Sequence, residues 1–311
     1  MKLRSNHGAG KKKNAAYVSV ASNSFLTFFK LIVGVFSGSI SIISESLHSL
    51  NDLVAALIAT YAVRISSKPP DREHHYGHGK IENVSALLEA SLIIFAAIFI
   101  IHEAIDRIIT PREIVLMELG IGVMLVSTLL NLFVSVYLRK VAKETNSAAL
   151  EADAAHLSAD VYTSLGVFLG LVAIRITGYV LLDPIIAILV ALYIVKIGVE
   201  LIVRASKELM DTGLGKAEEK KVMAIVNAHK ESFVECHKFR SRKSGSETYL
   251  DMHIVVAKHQ TIQAAHALAD HIEKEIAREM PGTHAMVHIE PCNGNCEGCS
   301  QKTRCERKLQ G

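Results

Sequence analysis

Six long apolar runs lie before Lys207, at 17–36, 40–65, 84–108, 114–137, 149–174 and 180–203. A helix of about 20 residues crosses the hydrocarbon core of a bilayer, and there every backbone amide must be satisfied within its own helix. Repeated runs of this length restrict the first part of the chain to a bundle of six membrane helices. Gly38, Pro111 and Gly178 mark turns between them. Lys11, Lys12 and Lys13 precede the first run as in a signal peptide. The run is too long for one and lacks a small-residue cleavage site, so it reads as a retained span. A net charge of +3 argues against a nucleic-acid partner.

Basic residues orient the bundle, because loops rich in Lys and Arg stay in the cytoplasm. Lys2, Arg4, Lys11, Lys12 and Lys13 precede the first run, Arg64, Lys68, Arg72 and Lys80 follow the second, and Arg139, Lys140 and Lys143 follow the fourth. Only Arg107, Arg112 and Arg175 flank spans on the other side. Both termini are therefore expected in the cytoplasm.

The second and fifth runs are not uniformly apolar. The second contains His48 and Asp52, and the fifth contains His156 and Asp160. Residues four apart share one helix face, so each pair can grip one ion. Ionisable groups at membrane depth are costly and mark functional sites. Facing each other, the pairs offer two imidazoles and two carboxylates, a set charge-matched to a dication and suited to zinc. Magnesium and calcium favour more oxygen ligands. Protons compete for the same groups, so metal binding is expected to release them. Asn23 and Lys30 of the first run and Glu89 of the third extend the polarity into an aqueous route from one side.

Three more clusters carry metal-binding chemistry. Asp71, His74 and His78 follow the second run and can converge on one ion. After Val203 the pattern becomes helix (216–230), strand (234–240), strand (248–256), helix (261–280) and strand (284–290), with Gly245 in the turn between the first two strands. This is a small α+β domain of the ferredoxin-like kind. It holds His237, His253, His266, His288 and Glu290, the last two spaced to share a sheet face. Cys292, Cys296, Cys299 and Cys305 crowd the tail and can bind a soft metal. The domains are thus 1–206, 207–291 and a Cys-rich 292–311, with Asp211, Thr212 and Gly213 as hinge. No His-Glu-x-x-His motif occurs, and four protein ligands leave no open position for an activated water, so no enzyme is expected.

With these residues assembled, the chain resembles the cation diffusion facilitator family, especially its bacterial divalent-metal efflux members. The resemblance is carried by Ser37–Ser41 (SGSIS), His48–Asp52 (HSLND), Tyr76–Lys80 (YGHGK), Glu151–Asp160 (EADAAHLSAD) and Val287–Pro291 (VHIEP). It implies a homodimer in the inner membrane lipid, exporting a divalent cation by alternating access against inward proton flow. It assigns His48, Asp52, His156 and Asp160 to transport and Asp71, His74 and His78 to a loop site. His237, His253, His266, His288 and Glu290 match structural zinc sites joining two cytoplasmic domains, and Lys80 and Asp211 match a charge pair locking the dimer. Many relatives carry Asp where this chain has His48, and often Asp where it has Glu290. The imidazole softens the transport site and favours zinc, although iron, cobalt, nickel, manganese and cadmium remain alternatives. A metal sensor that moves no ion is a further alternative.

Overall fold

Length and apolarity act first. Helices α1 (Lys2–Ser37), α2 (Ile40–Ser66), α3 (Ile81–Ile109), α4 (Glu118–Thr145), α5 (Ala148–Thr177) and α6 (Leu182–Leu209) build one unit, Met1–Leu209. The computed structural model describes residues 2–37, 40–110, 118–179 and 181–293. Gly38, Pro111, the start of the fourth run and Cys296, Cys299 and Cys305 lie outside them. Several helices outrun their apolar cores. Helix α1 takes in the basic tail from Lys2, and α4 continues through Arg139, Lys140 and Lys143. Hydropathy marks where greasy sequence ends, whereas Lys, Arg and Glu sustain a helix beyond it.

Among the described residues, four stretches are apolar and long enough to cross a membrane: Gly8–Phe36, Ile81–Ile109, Gly122–Thr145 and Pro184–Leu209. The remaining long helices, α2 and α5, are those that carry the polar pairs. Phe28, Phe95, Phe133 and Phe168 stand outward and exposed. A surface this apolar calls for lipid as its solvent.

Inside the bundle, α1 lies along α2, α3 along α6 and α4 along α5, and α2 reaches α5. Small residues permit this closeness, as in membrane helix pairs generally. Ala15, Ala16, Ala62, Ala149 and Ala154 are buried together with Leu138, Leu150 and Leu157. At Gly198 of α6, a Cβ would sit 2.5 Å from Ile94 Cγ1 and 3.3 Å from the Ala90 carbonyl oxygen of α3. Any side chain there wedges the pair apart.

The second unit, Met210–Gly311, runs α7 (Lys216–Ala228), a 3-10 turn (Lys230–Ser232), β1 (Glu235–Ser244), β2 (Glu247–Val256), α8 (Ile262–Glu279) and β3 (Thr283–Pro291). The sheet order is β1-β2-β3, with β1 antiparallel and β3 parallel to β2. Gly245, at φ +60°, supplies the left-handed backbone of the hairpin turn. Thr261 caps α8, its Oγ1 accepting the Ala264 amide at 3.2 Å. Alternation along β2 puts Leu250, Met252, Ile254 and Val256 on one face, buried against Val222, Val226, Ile272 and Ile276 of α7 and α8. Each such large side chain contributes about 1.5–3 kcal/mol through burial. The same alternation turns His253 to the opposite face.

Candidate metal centres

The i, i+4 spacing stacks His48 over Asp52 on α2 and His156 over Asp160 on α5. Packing of α2 on α5 then merges the pairs. Ligand atoms of His48, Asp52 and Asp160 all lie within 4.8 Å of one another. His156 Nε2 is 3.2 Å from Asp52 Oδ1. Asp52 is buried, whereas His48 is exposed. The Nδ1 of His156 is buried without a hydrogen-bond partner. Two imidazoles and two carboxylates suit a borderline dication such as zinc, held at about 2.0–2.2 Å.

Neighbouring helices add further polar groups, of which Thr27 and Asn131 carry no signal in the sequence. Asn131 of α4 donates through Nδ2 to Asp160 Oδ2 at 3.4 Å, orienting a carboxylate of the centre. Lys30 Nζ donates to Ser49 Oγ at 2.9 Å, and Thr27 Oγ1 donates to the Ser49 carbonyl at 2.9 Å. Glu89 and Asp153 are buried, each with one carboxylate oxygen unpartnered. Farther along, Glu82 is fully buried and binds three donors: Lys12 Nζ at 3.0 Å, Ser66 Oγ at 2.6 Å and Ser147 Oγ at 2.5 Å. This knot joins α1, α2, α3 and the start of α5. Lys12, counted from sequence as a topogenic tail charge, is an internal counter-ion. The signal for Glu82 was an acid in the first turn of an apolar helix.

The link after α2 brings Asp71, His74 and His78 together within 4.8 Å. Asp71 Oδ2 is 3.3 Å from His78 Nε2, and Oδ1 is 3.5 Å from His74 Nδ1. The backbone N–H groups of His74 and Glu73 donate to Asp71 Oδ1 at 2.7 and 3.0 Å. The His74 amide in particular holds the Asp71 carboxyl below the usual carboxylate range. Gly77, at φ +78°, lets the link turn back. His78 Nδ1 is buried and unpartnered.

On the sheet, register aligns His237 with His253 across β1–β2 and His253 with His288 across β2–β3. His237 Nε2 lies 3.0 Å from Glu290 Oε2, and His253 Nδ1 lies 2.7 Å from Glu290 Oε1. The hydrogen bond from His253 is the main reason the Glu290 carboxyl titrates below its ordinary value. A bulge follows His237, with Lys238 at φ +50° and its Nζ 3.6 Å from Glu290 Oε1. The bulge interrupts the alternation that sequence showed over 234–240, and β1 resumes beyond it to Ser244. His288 stands beside this group, its ring 4.7 Å from that of His253. His266, exposed on α8, joins none of the clusters found among the described residues.

A bundle with acid and imidazole groups at its centre, followed by a small mixed-sheet unit, fits a membrane protein that handles cations. Residues 16–210 match the family model of the cation efflux transmembrane domain, and residues 214–292 that of the cation efflux protein cytoplasmic domain. The chain belongs to the cation efflux, or cation diffusion facilitator, family. It is 34% identical to an uncharacterised transporter of Synechocystis sp. over 84% of both chains. It is 29% identical to the cation-efflux pump FieF of Yersinia pestis over 90% of this chain and 93% of that one. A solved structure of CzrB in its Zn form matches 27% of this chain and 96% of that one, at 30% identity and a TM-score of 0.26.

Proposed function

We propose that this transporter exports zinc from the cytoplasm in exchange for protons, binding the ion between His48, Asp52, His156 and Asp160. The supporting observation is the convergence of His48, Asp52 and Asp160 within 4.8 Å, with His156 3.2 Å from Asp52, on two helices of the bundle. Replacing an ion's water with four protein donors suits zinc, which accepts a tetrahedral nitrogen–oxygen shell. Zinc binds only deprotonated ligands, so acid on the outer side favours protons at the same groups and expels the metal. Alternating exposure of one centre to the two sides then couples the fluxes. Both termini lie in the cytoplasm, and the membrane is the inner one.

In this reading Asp71, His74 and His78 bind zinc at the membrane surface. His237, His253 and Glu290, with His288 beside them, bind structural zinc that helps two copies pair through their cytoplasmic units. The ion neutralises carboxylates that otherwise repel one another.

The test is zinc-driven proton movement in proteoliposomes holding the wild type, His48→Ala or Asp160→Ala. Each variant is expected to lose coupled transport. Full zinc flux in both rejects the site, while zinc flux without proton movement rejects the coupling. Competition by iron, cobalt, manganese or cadmium decides the metal.

A further inference from the structure

Where α7 ends against α8, two histidines and a glutamate meet that belong to none of the centres above. We propose that His229, His271 and Glu275 form a further site for a borderline transition-metal dication such as zinc. Their ligand atoms lie within 4.8 Å of one another. The site stands whether or not the chain carries zinc across the membrane.

Each ligand is positioned by its own element. His271 and Glu275 are four apart on α8 and share its outer face. His229 follows α7 and is held by a turn: its N–H donates to the Val226 carbonyl at 3.0 Å, and the Ser232 N–H donates to its carbonyl at 2.8 Å. Val222 and Val226 pack with Ile272 and Ile276 in the core beneath, fixing the spacing of the two helices. His229 Nε2 lies 2.6 Å from Glu275 Oε2, and His271 Nε2 lies 3.9 Å from the same oxygen. The two rings are 5.0 Å apart and perpendicular.

A plain hydrogen-bonded pair needs one imidazole, and here two address a single carboxylate oxygen. Zinc at about 2.0–2.2 Å from each ligand holds neighbouring donors about 3.3 Å apart. The cluster reaches that arrangement by a slight opening of the His229–Glu275 contact and an inward swing of His271. His271 is free to move, its side chain being 66% exposed, while those of His229 and Glu275 are 22% and 25% exposed. Arg278 approaches the other oxygen, Oε1, at 3.8 Å and leaves Oε2 to the histidines. Three protein ligands leave the fourth position to water, so the ion exchanges readily. Two imidazoles favour zinc, cobalt or nickel over magnesium or calcium. A bound ion clips α7 to α8 and ties the firmness of this unit to the metal supply.

The test uses the full-length protein in detergent, stripped of metal and dialysed to equilibrium against Zn2+. The wild type is expected to bind one more zinc per chain than either His271→Ala or Glu275→Gln. His284→Ala serves as control: it removes a surface histidine that lies 3.0 Å from a single carboxylate, Glu247, and is expected to bind like the wild type. Zinc-edge anomalous scattering from wild-type crystals is expected to show a peak between His229, His271 and Glu275. Wild-type stoichiometry in both variants, loss in only one of them, or no peak at the cluster overturns the proposal.

Discussion

The centre between α2 and α5 and the centre on the sheet use the same ligands, histidine and carboxylate, in opposite surroundings. In the bundle, the pairs come from helical periodicity, with Asp52 buried and polar side chains of other helices such as Asn131 beside them. On the sheet, His237, His253 and Glu290 meet through cross-strand register on a wetted face. Low polarity makes each buried group depend on its partners, whereas water can substitute for a lost partner at the surface. The difference teaches that equal ligand sets need not have equal consequences. Disturbing the first should stop function or unfold the bundle; disturbing the second should adjust assembly.

The largest expected effect comes from Asp52→Asn or Asp160→Asn. Each removes a charged donor from the bundle centre, and zinc flux in proteoliposomes should fall by more than the about 10–100-fold typical of losing an outer support. Glu290→Gln should leave most flux intact. Equal losses at the two centres would break the contrast.

Next is Lys12→Ala, which strands the buried Glu82 with only hydroxyl donors. Breaking a buried pair from one side costs about 3–5 kcal/mol. The surface pair Lys274–Asp270, at 2.6 Å on α8, should cost under about 1 kcal/mol when Lys274→Ala is made. Thermal unfolding of the purified variants measures both.

A smaller effect is expected from Asn131→Ala, which keeps the ligands but frees the Asp160 carboxylate. Zinc affinity of the bundle centre should weaken about 10–100-fold. Unchanged affinity would show that packing alone orients Asp160.

The smallest effect concerns pH in the metal-free protein. Glu290 titrates below its ordinary value because His253 hydrogen-bonds it. Its contribution is present above the unfolded carboxylate value of about 4.3 and is lost as pH falls through the lower folded value. Melting temperature should therefore decline on acidification, and Glu290→Gln should flatten part of that decline. A slope unaffected by the substitution would remove Glu290 from the account.

Much of this was legible along the chain. Apolar run length foretold the helices, and alternation foretold β2, because both signals report burial residue by residue. The His-x-x-x-Asp pairs were legible because a helix brings i and i+4 together wherever it forms. Lys12 was legible only as one of the basic residues before the first run, since nothing near it in sequence shows that Glu82 will be its partner. The His229 cluster was missed for the same reason: His229, just past α7, lies far along the chain from His271 and Glu275 on α8.

Local pattern along the chain set which stretches become helices and strands and which residues share a face of each, though not where α1, α4 and β1 end. Periodicity is a local property, set by backbone geometry over a few residues. Tertiary structure alone decided that α2 meets α5, that Glu82 takes Lys12, and that His229 reaches Glu275. In the bundle those encounters depend on how small residues such as Ala62 and Ala154 let helices approach, and under His229 on how Val222 and Val226 pack with Ile272 and Ile276, a matter of packed shape that no short stretch of chain encodes.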